Sequence, residues 1–60
     1  MPPPANADTI ERFRWVVEQL TTARRLAEEM GEDTLLLLLE QALIQAERDM
    51  QSAREKQRIL

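Results

Sequence analysis

Between Thr9 and Met30 apolar residues recur by threes and fours: Phe13, Val16, Leu20, Ala23, Ala27 and Met30. That interval draws one stripe along a helix, and neither proline nor glycine interrupts it. Ile10 and Val17 widen the stripe on one side, Leu26 on the other. A second stripe follows, made of Leu36, Leu39, Leu43, Ala46, Met50 and Ala53. The pattern predicts two helices, at about 9–30 and about 34–58, joined by a turn at 31–33.

The residues flanking the stripes carry the matching start and stop signals. Asp8-Thr9-Ile10-Glu11 has the spacing of a capping box, in which Asp8 accepts from exposed first-turn amides and Glu11 follows three residues later. Gly31 directly follows Met30, and glycine takes the positive φ that ends a helix without steric cost. Glu32-Asp33-Thr34 then offers side-chain acceptors for a second start, with Asp33 or Thr34 as the cap. So short a connection between two long helices makes them antiparallel neighbours, an αα-hairpin. Equal rise along both helices sets residues whose numbers sum to about 63 or 64 at one level. Leu20 then meets Leu43, Phe13 meets Met50, Ile10 meets Ala53, and Ala27 with Met30 covers Leu36. Alanines on both seams suit close packing at a crossing angle of roughly 20°.

The hairpin does not use up the apolar residues. Leu35 to Leu39 are five consecutive leucines, and at about 100° per residue they encircle the helix. Leu36 and Leu39 belong to the seam, which leaves Leu35, Leu37 and Leu38, together with Ile44 and Ala42. The first helix leaves Trp15 and Leu26, eleven residues apart and so almost eclipsed. Each large apolar side chain gains about 1.5–3 kcal/mol on burial, so leaving them all exposed forfeits an amount comparable to the stability of a small domain. A two-fold homodimer, two hairpins making a four-helix bundle, resolves this with one self-complementary surface. Its expected interface is Trp15, Leu26, Leu35, Leu37, Leu38 and Ile44.

Composition points the same way. Sixty residues make one small domain, in which disulfides, a metal or oligomerisation commonly supplement the core. Cysteine and histidine are both absent, which removes disulfides, the usual zinc ligands, thiol and imidazole nucleophiles and the commonest general base. Oligomerisation is the aid left. Aromatics at 3% and a single glycine argue against a β fold and for an all-α one.

The charges suggest two local surfaces. A net charge of −3 attracts neither nucleic acid nor anionic lipid globally. Glu28, Glu29, Glu32 and Asp33 make an acidic tip at the turn that could dock a basic partner. Arg54, Lys56 and Arg58 gather near the open end, where they could contact phosphate, although Glu47, Asp49 and Glu55 are interleaved with the cations there. The apolar stripe of the second helix lacks the flanking lysines and arginines of a membrane-surface helix, so no membrane partner is expected.

No catalytic pattern appears. The one serine, Ser52, has no histidine to activate it, the carboxylates lack the His-containing spacing of a di-metal bundle, and the one glycine is spent as a helix stop. No catalytic, cofactor-binding or metal residue is expected, and the chain is read as non-enzymatic. Residues 1–7, beginning Met1-Pro2-Pro3-Pro4, are expected to form a disordered proline-rich arm ahead of a hairpin spanning 8–60. They lack the basic start and apolar middle of a signal peptide, which makes the cytoplasm the expected compartment.

Two helices of this length, a tight turn and a seam on each resemble in layout the Rop-like hairpins, which dimerise into antiparallel four-helix bundles. The resemblance spans roughly residues 8 to 58 and implies an architecture only, since no site residue of those proteins has a counterpart here. The expected function is protein–protein interaction, in a regulatory setting, by a homodimeric hairpin, and the alternative is a small dimeric binder of RNA or DNA.

Overall fold

The computed structural model describes residues 8–59, so the expected arm at 1–7 lies outside the described residues. Two helices account for almost all of it: α1, Thr9–Met30, and α2, Asp33–Ile59. They pack against each other along their length as an antiparallel hairpin.

The termini of α1 are closed by local chemistry. At Asp8 the backbone is extended, with φ −76° and ψ 175°, and its Oδ1 accepts the Glu11 amide at 2.8 Å while its carbonyl accepts from Arg12 N–H. One orphan amide of the first turn is thereby satisfied. At the other end Gly31 adopts φ 73° and ψ 22°. The Gly31 amide donates to the Glu28 carbonyl at 3.1 Å and the Glu32 amide to the Ala27 carbonyl at 3.0 Å, the paired bonds of a Schellman turn. The chain then re-enters a helix at once. Leu36 N–H donates to the Glu32 carbonyl at 2.9 Å, so Glu32 stands in the capping position of α2 and Asp33 falls inside its first turn. The connection is therefore Gly31 and Glu32 alone, and α2 begins one residue earlier than the sequence pattern placed it.

The α2 seam is the one read from the sequence: Leu36, Leu39, Leu43, Met50 and Ala53 are half-buried and Ala46 is buried. On α1 the seam is rotated. Ile10, Phe13, Val17, Leu20 and Ala23 are half-buried and Ala27 is buried, whereas Val16 and Met30, expected in the seam, stay 46% and 68% exposed. Val16 and Val17 are adjacent candidates for the same contact, and packing has selected Val17. Arg24, seven residues after Val17, occupies the border of that seam and remains exposed.

Between two helices, only side chains small enough to fit wholly within the contact line are covered on every side. Ala27 and Ala46 are accordingly the only buried apolar residues among those described, and no large side chain is fully buried. The Cα trace measures 44 × 22 × 10 Å, a slab one helix thick.

The caps provide a test. Nothing lies within 4 Å of where a Cβ at Gly31 would sit, so Gly31→Ala carries a purely conformational penalty for its positive φ. It is expected to destabilise the fold by about 1–2 kcal/mol, and Asp8→Ala by about 1 kcal/mol, in urea unfolding at fixed protein concentration. Equal stability of Gly31→Ala and wild type would show that the left-handed turn is not retained in solution.

Candidate functional site

Residues seven apart on a helix lie almost in line, so each helix can be read as a set of columns. On α1 the column Thr9, Val16, Ala23 and Met30 runs beside the seam, and Gln19 and Leu26 lie next to it. On α2 the corresponding column is Leu35, Ala42, Asp49 and Lys56, with Leu38, Gln45 and Ser52 beyond. An open hollow shows that the two columns share one flank of the hairpin. It occupies about 480 Å³ near the open end and is lined by Thr9 and Phe13 from α1 and by Asp49, Ser52, Ala53, Lys56 and Gln57 from α2. Thr9 and Lys56 begin and end these columns, so Val16, Met30 and Leu35 face the same way farther along.

This flank is the candidate site. Its turn half is apolar, with Leu26, Met30, Leu35 and Leu38 all exposed and Leu38 at 61%. Ala23 and Ala42 lie near its middle, and the polar-rimmed hollow occupies its other end. Gln45 and Asp49 are joined there by a side-chain hydrogen bond of 2.9 Å, which satisfies part of their polarity on their own helix.

The six residues expected at a dimer interface do not share one surface. Leu26, Leu35 and Leu38 lie on the flank and are joined by Val16 and Met30. Leu37 and Ile44, both exposed, form a column on the outer side of α2, well over 100° around the helix from its seam by the rotation per residue. Trp15 is on the outer side of α1 and is half-buried. The Val16–Met30 column was the part that sequence reasoning missed. Its signal was ambiguous, because Arg24 interrupts the Ile10–Val17 column and makes the Val16–Ala23–Met30 column look the more continuous.

The charged candidates separate in the same way. Glu28, Glu29, Glu32 and Asp33 are all exposed around the turn. At the open end Lys56 stands on the rim of the hollow, whereas Arg54, in line with Glu47, lies on the opposite flank and Arg58, in line with Ile44, on the outer side of α2. The three cations do not converge on one surface. Thr21 and Thr22, exposed in mid-helix, direct their hydroxyls to the carbonyls of Val17 and Glu18 at 2.8 and 3.1 Å, so their donors are engaged within α1.

Among the described residues no buried side-chain polar atom lacks a partner and no cluster of acidic side chains is arranged to hold a metal ion. Among the same residues no helix is long and apolar enough to cross a membrane. Comparison of the chain with protein-family models, with curated proteins and with solved structures finds no match, so the functional reading rests on the geometry of the flank.

Proposed function

We propose that this chain is a non-enzymatic interaction protein, a helical hairpin that pairs with a second copy into a four-helix bundle and acts through the surfaces left outside the pair. One observation carries the reading. Val16, Leu26, Met30, Leu35, Leu37, Leu38 and Ile44 are exposed while the only buried apolar residues among those described are alanines. A hairpin in that state forgoes most of the about 1.5–3 kcal/mol that burial of each large side chain supplies. Five of these, Val16, Leu26, Met30, Leu35 and Leu38, share one flank, and contiguous apolar surface on a small chain marks an interaction site.

A second copy suits the size of the surface as well as its chemistry. A slab of 44 × 22 Å offers on one face the roughly 800 Å² per partner of a standard interface. A cysteine-free chain is at home in the reducing cytosol, the compartment in which we place it. The separation of Lys56 from Arg54 and Arg58 weighs against a phosphate-binding surface, so RNA or DNA is not the favoured partner.

Three measurements decide this. Sedimentation equilibrium at micromolar concentration is expected to give twice the 7.0 kDa chain mass, with a melting temperature that rises as protein concentration is raised tenfold. A stable folded monomer would refute the pairing. Salt-sensitive retention on an RNA or DNA column would move the reading to nucleic-acid binding, because neutralised phosphates make such affinity fall steeply with salt.

A further inference from the structure

The exposed flank carries its own complement, one part at each end. At the turn end Met30 and Leu35 project, exposed, from the two helices. At the open end the hollow of about 480 Å³ has an apolar floor in Phe13 and Ala53 and a polar rim in Asp49, Ser52 and Lys56. Projection and hollow are separated by the span from Met30 to Phe13, about 25 Å at the rise of a helix. The midpoint of that span falls close to Ala23 on α1 and Ala42 on α2, where small side chains allow two backbones to approach.

The geometry points to a second copy of this chain seated antiparallel on this flank, each copy placing Met30 and Leu35 in the open-end hollow of the other. The two-fold axis then passes near Ala23 and Ala42, perpendicular to the helices, with α1 on α1 and α2 on α2. This inference rests on the homodimer reading above and adds the face, the direction and the register. It leaves Leu37 and Ile44 on the outside of the bundle.

Charge selects this arrangement over the alternative pairing of the same faces. Were the two-fold axis to run along the helices, both turns would lie at one end, and two sets of Glu28, Glu29, Glu32 and Asp33 would stand side by side. Both hollows would also face each other, with neither filled. In the antiparallel seating the acidic turn of one copy meets the end at which Lys56 rims the hollow of the other. Lys56 then lies across the contact from the acidic turn at both ends, while Asp49 on the same rim accepts a hydrogen bond from Gln45 on its own helix.

The full chain lacks cysteine, so a single Arg54→Cys substitution gives one site for a spin label on the flank facing away from the contact. Antiparallel seating places the two labels more than about 30 Å apart along the bundle by the helical rise. Turns at the same end would leave only the lateral spacing of packed helices, below about 25 Å. Lys56→Glu and Glu32→Lys are each expected to raise the dimer dissociation constant about tenfold, and the double variant to restore it to near the wild-type value. Met30→Glu is expected to weaken the dimer at least as much, while Leu37→Lys with Ile44→Glu leaves it in place. A dimer with the short label separation, or one unaffected by Met30→Glu, overturns the seating and leaves the homodimer standing. Failure of the charge reversal to restore binding overturns the contact between turn and hollow, and a chain that sediments as a monomer overturns both readings.

Discussion

Two helices touch along a line, and that limit governs the rest of this molecule. A side chain on the line is flanked by the partner helix on one side and by solvent to either hand. Only a methyl-sized group can be wholly enclosed there, which is why Ala27 and Ala46 are buried while Leu20, Leu43, Phe13 and Met50, on the same seam, are half-covered. A larger core requires a third body, whatever sequence the two helices carry. The exposed flank is thus the face on which a third body would enlarge the core.

The elements and their pairing were legible because each is written in local chemistry. Asp8 has an amide to accept, Gly31 has a positive φ to adopt, and the α2 seam runs without interruption from Leu36 to Ala53. The rotation of α1 was not legible. Val16 and Val17 are the same residue type side by side, and the choice between them is made by the fit of both helices together, which no single-helix periodicity contains. That choice had consequences for the site. It moved Val16 and Met30 from the seam to the flank, where they join Leu26, Leu35 and Leu38. Position in a leucine run says that a residue is apolar; only the hand and direction of both helices say which side of the hairpin receives it.

Electrostatics and backbone geometry pull in different directions at the turn. Glu28 and Glu29 lie in the last turn of α1, which has no basic residue, so the negative end of the helix dipole faces like charge. α2 is arranged in the favourable sense, with Asp33 in its first turn and Lys56 and Arg58 in its last. What closes α1 is the pair of hydrogen bonds donated by the Gly31 and Glu32 amides. Surface charge there costs about 1 kcal/mol or less and is screened by salt, whereas losing the left-handed residue removes the geometry itself. The acidic tip is therefore tolerated by the fold.

The connection of Gly31 and Glu32 has no slack, and this fixes more than the pairing of the helices. With the amides of both residues engaged, α1 cannot slide a turn along α2 without breaking the Schellman bonds. Every feature of the exposed flank is consequently held at a set distance from the turn: the projecting Met30 and Leu35, the alanines, the hollow at Phe13 and Ala53. The hairpin behaves as a gauge. A helical partner that carries the same kinds of side chain on a longer or shorter span will match it at one end and miss at the other, so that selectivity can reside in spacing alone, in a surface made of common residues and without any recognisable motif.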